Sequence, residues 1–377
     1  MNNRERALAV LRFQAYDRLP IVHFGFWNET LIKWHEQGHL TRDEAYKWGD
    51  SNAYDDSISQ KLGFDFNWSP MFGANTSLSP AFVPKVIREL GGGTRHVRNE
   101  EGVIVLQNDA AISIPAEIEH LLVDRKSWEE LYAPKLRYHP GRVDRKHLAR
   151  EKGAAHDRPY GLHVGSLYGN IRNWLGVVGS SYLLCDDEEL YTEIIDTVGE
   201  LTYRVTQEVL DCAAPRSPGG LVFDYAHFWE DICFKNGPLI SPSVFREKVG
   251  PHYKRITELL RAHGIDIVSL DCDGCIDALL PVWLENGVNT MFPIEVGTWG
   301  ASIAPWRERY GRRVLGVGGM NKTVFSRDFA AVDAEVERLK ALVALGGYIP
   351  CPDHRIAPDA KWENVVYYTK RLREAVA

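Results

Sequence analysis

The sequence predicts an α/β protein with the architecture of a TIM (β/α)8 barrel and an insertion in its amino-terminal half. Short apolar strands alternate with longer helical stretches along the 377 residues, a pattern that favours a parallel sheet. Eight strands can be marked, which is the number that such a barrel needs. In chain order they are Leu19–Phe24, Phe64–Trp68, Gly161–Gly165, Gly220–Tyr225, Ile265–Asp271, Thr290–Ile294, Arg313–Gly318 and Gly347–Pro350.

Helices follow the later strands. Ser241–Gly264 begins with Ser-Pro and ends at His-Gly, which are typical start and stop signals. Asp333–Ala344 has apolar residues at helical spacing and ends before Gly346. Asp359–Ala377 carries Lys and Arg in its last turns, where they complement the helix dipole.

Residues 69–159 depart from this rhythm. They contain three consecutive glycines, Gly91–Gly93, the strand-like segment Val103–Gln107 and the charged run Arg142–Lys152. We predict an insertion made of a β-hairpin and helices that covers one side of the barrel. Because no Pro/Gly/Ser-rich linker separates it, we predict a single domain over residues 1–377.

Composition excludes several classes of function. The net charge of −7 without a long basic block argues against nucleic-acid binding. No apolar run approaches the 18 residues of a membrane span. The charged start Met1–Arg6 predicts a helix rather than a signal peptide, so we expect a cytoplasmic protein. Six scattered cysteines do not indicate a disulfide framework.

Polar side chains recur where the strands end, and in a barrel these ends face a common centre. We expect substrate to contact His23, Trp27, Tyr168, Arg172, Trp229 and Asn321. Groups able to perform acid–base chemistry, or to orient the substrate, are Asp224, His227, Glu230, Asp273 and His354. The alternative for any single acid is that it caps the following helix.

A subset of these positions predicts a metal site. Asp271 and Asp273 lie two residues apart and therefore on the same side of a strand, where they could hold a divalent ion, share a proton or form an Asx turn. Glu295 is either a ligand or buried against Arg307. The candidate ligands are Asp271, Asp273, Glu295, Cys351 and His354.

Together these segments resemble the uroporphyrinogen decarboxylase superfamily. The resemblance is carried by Gly165–Arg172, Glu230–Pro242, Asp273–Gly274, Pro293–Val296 and Gly346–His354. It implies one TIM barrel with its site at the carboxyl ends of the strands. True decarboxylases of this superfamily have an arginine-bearing segment of the form M-R-Q-A-G-R, but the corresponding Pro20–Trp27 contains no arginine.

The resemblance therefore implies the branch of corrinoid-dependent methyltransferases. Members that act on coenzyme M hold zinc through H-x-C and a late cysteine. Here Asp271 and Asp273 replace the first pair, and His354 falls where the late cysteine would be. This harder ligand set implies zinc-assisted demethylation of a small-molecule ether, such as an aryl methyl ether, or of an amine.

The same resemblance implies a corrinoid (cobalamin) carried on a partner protein as the methyl acceptor. Two alternatives remain open from the sequence: a metal-free decarboxylase or lyase of the same fold, and a non-catalytic ligand-binding barrel. A homodimer is common for the fold, but no apolar stripe in the sequence demands one.

Overall fold

The computed structural model describes residues 1–69, 71–108, 115–151, 156–213 and 223–376. Strands of both the parallel and the antiparallel kind occur in these ranges. In chain order they are β1 (Val22–His23), β2 (Phe66–Asn67), β3 (Met71–Gly73), β4 (Lys85–Gly91), β5 (Thr94–Arg98), β6 (Val103–Asn108), β7 (Ala116–His120), β8 (Gly161–Gly165), β9 (Tyr225–Trp229), β10 (Cys233–Phe234), β11 (Gly237–Pro238), β12 (Val268–Asp271), β13 (Thr290–Phe292), β14 (Leu315–Met320) and β15 (Tyr348–Pro352).

The α-helices lie between these strands, and π-helical turns at Trp128–Tyr132 and Phe245–Val249 extend two of them. In chain order they are α1 (Asn3–Leu11), α2 (Asn28–Glu36), α3 (Arg42–Tyr46), α4 (Ala53–Leu62), α5 (Arg125–Ser127), α6 (Arg145–Glu151), α7 (Gly169–Asp186), α8 (Glu188–Ala213), α9 (Pro242–Val244), α10 (Gly250–Ala262), α11 (Leu280–Glu285), α12 (Val296–Trp299), α13 (Ile303–Tyr310), α14 (Phe329–Val343) and α15 (Trp362–Ala375). Within the described ranges, no helix is both long and apolar enough to span a membrane.

A seven-stranded parallel sheet forms the centre of the molecule, in the order β15-β14-β13-β12-β9-β8-β3. β1 and β2 form a separate parallel pair. Beyond β1, Phe26 forms a parallel bridge with Ile356, which follows β15. The architecture is therefore α/β and TIM-barrel-like, as the alternation of strands and helices predicts.

The predicted bounds of the fourth strand need correction. The sequence pattern favours residues 220–225, but residues 220–222 lie outside the described ranges and the strand runs from Tyr225 to Trp229. Its register is set by parallel pairing on both sides, with β8 and with β12. Asp224 consequently lies at the amino end of the strand and not at its carboxyl end.

Successive side chains of each strand point to opposite faces of the parallel sheet. One face packs against the helices, and the other forms a second, internal core. Side chains of β9 alternate, so Tyr225 points inward while Ala226 and Phe228 pack under the helices. Helix α1 adds Val10 and Leu11 to the internal core. Since α1 also contacts residues that precede strands, through Arg4 to Asp224 and Arg12 to Asp266, it covers the amino ends of the sheet.

The region predicted as an insertion contains more strands than expected. Instead of one hairpin, β4 to β7 form a four-stranded antiparallel sheet in sequential order, followed by helical segments between residues 125 and 151. From residues 69–159, only β3 among the described segments joins the parallel sheet. That the whole chain is one domain stays a prediction.

Candidate active site

Three carboxylates converge where β9 and β12 end. Asp271 is the last residue of β12, Asp273 follows two residues later, and Asp231 follows β9. One oxygen from each of the three lies within 4.8 Å of the other two. The sequence pattern placed Asp271 and Asp273 on one side of a strand. The strand ends at Asp271, so it is the turn that follows which brings Asp273 close to Asp271. The sequence pattern missed Asp231, whose carboxylate reaches the cluster only because β9 ends later than predicted.

A tight turn holds this cluster in place. The Asp273 amide donates to Asp231 Oδ1 at 3.0 Å, and the Gly274 amide donates to Glu295 Oε2 at 2.6 Å. Gly274 has φ +85°, and a Cβ there would lie 2.4 Å from the carbonyl oxygen of Cys233. Only glycine fits this position, because both the backbone conformation and the space exclude a side chain.

The cluster concentrates negative charge in a partly buried place. Burial, followed by the charges of Asp231 and Asp273, raises the pKa of Asp271 well above its ordinary value. Burial and the charges of Asp231 and Glu295 raise the pKa of Asp273 to about 8. Burial also raises the pKa of Asp231. A bound cation would remove this penalty, since it favours the ionised carboxylates.

His354 faces the cluster from the loop after β15. Its Nε2 lies 3.6 Å from Asp273 Oδ2, and its ring stacks on Trp27 with centroids 5.6 Å apart and an angle of 16°. Burial, with the charges of Lys322 and Arg355, lowers the pKa of His354 to about 4. The imidazole is therefore neutral near pH 7 and can offer a nitrogen lone pair.

Lys322 is a charged residue of the site that the sequence reasoning did not select. Burial lowers the pKa of its ammonium group, while the carboxylates of Asp353, Glu295 and Asp273 raise it. The signal was present, because Lys322 follows Asn321 directly at the end of β14.

The donor set fits a divalent metal ion. Two ligand atoms at 2.0–2.4 Å from a common ion are at most about 4.8 Å apart, and one oxygen from each of the three aspartates lies within 4.8 Å of the others. Carboxylate oxygens suit Mg²⁺, Mn²⁺ and Ca²⁺, and an imidazole nitrogen extends the range to Zn²⁺. Asp231, Asp271, Asp273 and the adjacent His354 are therefore the residues that could hold a metal.

Two other predicted metal ligands have partners within the protein. Cys351 is fully buried in the internal core with Val317 and Ile349, and burial raises the pKa of its thiol well above the ordinary value. Glu295 accepts from the Gly274 amide and from the Thr298 hydroxyl. The alternative partner proposed for Glu295, Arg307, instead donates to the carbonyl oxygen of Leu345.

Two predicted catalytic acids are also bound within the protein. Asp224 accepts two bonds from the Arg4 guanidinium, at 2.8 and 2.9 Å, and one from the Tyr160 amide. It lies at the end of β9 away from the aspartate cluster. Glu230 is completely buried. Its carboxylate accepts from three successive backbone amides at the start of α7, those of Leu167, Tyr168 and Gly169. It also accepts from the hydroxyls of Ser166 and Tyr253.

Three residues predicted to contact substrate have structural partners. His23 is fully buried; its Nδ1 accepts from the Gly25 amide and its Nε2 bonds to Ser59 Oγ. The Tyr168 hydroxyl bonds to that of Tyr191 at 2.7 Å. The Asn321 side chain accepts from the amide and hydroxyl of Thr323 and caps the short helical turn that follows.

The remaining predicted residues lie around the cluster. Trp27 stacks on His354, and the Trp229 indole donates to the Asp231 carboxylate. Arg172 donates to the Asp231 carbonyl oxygen at 2.9 Å. His227 is buried with its Nε2 3.9 Å from Asp271 Oδ2. The structure thus places these four beside the aspartates.

A cavity of about 380 Å³ opens next to this cluster, between the insertion and the ends of β3, β8 and β9. Trp229 belongs to both, since it lines the cavity and bonds to Asp231. His163 lines the cavity as well, and its ring centroid lies 5.9 Å from that of His227. Trp229 therefore links the lining of the cavity to the carboxylate cluster, whose aspartates do not themselves line the described cavity.

Comparison with known proteins gives similarity at the level of the fold. The chain is similar to a solved structure described as a methyltransferase from Methanosarcina mazei, with a TM-score of 0.59, 14% sequence identity and 100% of both chains covered. A B12-independent methionine synthase from Shewanella sp. W3-18-1 aligns over 95% of this chain and 98% of its own, with a TM-score of 0.46 and 10% identity. No known family profile matches the chain, and no curated protein is similar to it in sequence. The chain therefore shares its fold, over its whole length, with the Methanosarcina protein.

Proposed function

We propose that this chain is a metal-assisted methyltransferase that removes a methyl group from an ether or amine and passes it to a corrinoid held by a partner protein. The observation that carries the proposal is the convergence of three carboxylates and a neutral imidazole beside a cavity. Similarity in fold to a methyltransferase over the full chain supports it.

The proposal includes a closed (β/α)8 barrel. Two contacts link the segment after β1 to the segment after β15. They are the parallel bridge from Phe26 to Ile356 and the hydrogen bond from the Trp27 amide to the Ile356 carbonyl oxygen. Closure would place the ends of β1 and β15 side by side, with His354 next to the aspartates. A cytoplasmic location and a homodimer stay predictions.

In the proposed mechanism, Asp231, Asp271, Asp273 and His354 would hold a divalent metal such as zinc, which would supply Lewis acidity toward the leaving heteroatom. Trp229 and Trp27 fix two of these ligands, by a hydrogen bond to Asp231 and by stacking on His354. The bond between the methyl carbon and its heteroatom breaks, and the heteroatom keeps the electron pair. Lys322 Nζ would donate the proton that a leaving oxygen takes up.

Metal binding tests this proposal directly. The full chain, stripped with a chelator and dialysed, is titrated calorimetrically with Zn²⁺ and then Mn²⁺. We expect one ion per chain, and Asp273→Asn should weaken binding at least tenfold because it removes a ligand charge. Asp43→Asn is the matched control, since Asp43 forms an exposed ion pair with Lys47.

Methyl transfer is then measured with methoxybenzene and trimethylamine as donors and reduced free cobalamin as acceptor, by the absorbance of methylcobalamin. We expect transfer that a chelator abolishes and that added metal restores. Turnover of a substrate without any bound metal would contradict the proposal. It would favour a metal-free decarboxylase or lyase, in which Asp273, whose pKa is raised to about 8, serves as proton donor.

A further inference from the structure

Most of the residues that line the 380 Å³ cavity have side chains able to form hydrogen bonds. Ligand cavities are mostly apolar with a few polar groups, but here hydrogen-bonding side chains outnumber apolar ones. The polar members are Asn75, Thr76, Ser77, Glu100, Glu101, His163, Ser166 and Asn170; the others are Ala74, Leu78, Ala81, Gly165 and Trp229. A flat aryl ring would offer no hydrogen-bond partner to those of these groups that the protein itself does not satisfy.

Two of the polar groups are incompletely used by the protein. The Glu101 carboxylate accepts only two long bonds of 3.3 Å, both from Asn173 Nδ2, although burial raises its pKa. Within the described ranges, the side-chain amide of Asn170 makes no hydrogen bond; only its backbone amide donates, to Ser166 Oγ. Both therefore retain capacity for a ligand that brings hydroxyl groups.

The rest of the lining agrees with a polyhydroxylated ring. Trp229 offers the one large aromatic surface among the lining residues, against which the C–H face of a saturated ring can pack. No lysine or arginine lines the described cavity, whereas two glutamates do. This charge disfavours ligands that carry a carboxylate, because like charges repel in a partly buried site.

We propose, on the basis of the proposed function, that this cavity binds the methyl donor and that the donor is an uncharged polyhydroxylated methyl ether, chemically an O-methylated sugar. Glu101 and Asn170 would bond its hydroxyls, and Trp229 would pack on its ring. In the reaction, the methyl group would pass to the reduced corrinoid of the partner protein, which supplies the electron pair of the new bond. The C–O bond breaks, the oxygen keeps its electron pair, and it takes a proton from Lys322 to become a hydroxyl. The product is then the unmethylated sugar.

Calorimetric binding to the metal-loaded full chain tests the ligand class. The probes are 3-O-methyl-D-glucose and methyl α-D-glucopyranoside, compared with methoxybenzene, 4-methoxybenzoate and the cation choline. We expect at least one sugar to bind ten times more tightly than any of the other three. Glu101→Ala and Asn170→Ala should each weaken sugar binding at least tenfold, which corresponds to 1.4 kcal/mol. Glu119→Gln is the control, because Glu119 lies on the exposed strand β7.

The outcomes separate this inference from the proposed function. Tighter binding of methoxybenzene or choline than of either sugar, or sugar binding that neither alanine variant alters, would overturn the inference. Demethylation of methoxybenzene without demethylation of the sugars would overturn it while the proposed function stands. Sugar binding that responds to the variants, without methyl transfer from any donor, would support the ligand class and overturn the proposed function. Unchanged melting temperatures of the variants verify that they fold.

Discussion

Two kinds of buried acid can be distinguished by the donors that surround them. Asp224 and Glu230 each accept hydrogen bonds from several protein groups; burial raises the pKa of Glu230, and its hydrogen bonds oppose that rise. Burial also raises the pKa values of Asp271 and Asp273, but there the neighbouring carboxylates raise them further. The second kind needs a cation or proton from outside, and this separates the candidate site from structural acids of the same residue type.

Glu230→Gln should destabilise the protein by about 3 kcal/mol, because the amide carries hydrogen atoms that face backbone N–H groups and the charge-assisted bonds are lost. Urea unfolding followed by circular dichroism measures this change. Glu188→Gln is the control. Glu188 is an exposed glutamate that forms an ion pair with Lys248, and an ion pair made at an exposed side chain contributes less than about 1 kcal/mol to stability. If Glu230→Gln keeps wild-type stability but loses methyl transfer, the catalytic role predicted from the sequence is right after all.

At the scale of elements, the turn after β12 determines the geometry of the site. Gly274→Ala places a Cβ 2.4 Å from the Cys233 carbonyl oxygen at φ +85°, so β10 or the turn must move. We expect a loss of at least about 2 kcal/mol in stability and weaker Zn²⁺ binding by calorimetry. Gly91→Ala is matched to it, since Gly91 has φ +87° with no atom within 4 Å of the added Cβ.

In both glycine variants an alanine is forced into a backbone conformation with positive φ, but only in Gly274→Ala does the added Cβ clash with another atom. The difference between their unfolding free energies therefore measures the clash against Cys233. Equal losses in both, with unchanged Zn²⁺ affinity in Gly274→Ala, would mean that the turn does not position Asp273.

The elements that sequence analysis predicted well are those with local signals. The helix predicted from Ser-Pro to His-Gly, over Ser241–Gly264, is found as continuous helical turns from Pro242 to Ala262, because its caps are encoded beside it. The bounds of β9 could not be predicted in the same way. Their register depends on pairing with β8 and β12, which are distant in sequence, so Asp231 was missed and Asp224 was misplaced.

At the scale of the whole molecule, buried neutral histidines make stability depend on pH. Burial lowers the pKa of His23 from 6.5 to about 3. Between pH 6.5 and about pH 3, His23 is therefore protonated in the unfolded chain but neutral in the folded chain. Protonation of His23 leaves the free energy of unfolding unchanged above pH 6.5 and lowers it by about 1.4 kcal/mol for each pH unit below that value. His23→Gln should make the fall in unfolding free energy between pH 6 and pH 4 shallower by about that slope.

Urea unfolding at several pH values measures these slopes, and comparison with wild type cancels the contributions of other groups. His39→Gln serves as control, since His39 is an exposed ring stacked on Trp362. An identical slope in His23→Gln and wild type would show that His23 titrates in the folded protein as it does in the unfolded chain.

Carboxylates of the protein accept hydrogen bonds from the amides at the starts of two helices, and this affects which ligands the protein can bind. Amides at a helix start commonly bind phosphate groups. At α7 these amides already donate to Glu230, and at α12 the amides of Val296 and Gly297 donate to Asp353. Two places where a phosphate ester would be held are thus filled by the protein's own anions. For the sugar ligand that we propose, we therefore expect a phosphorylated form to bind more weakly than the free sugar.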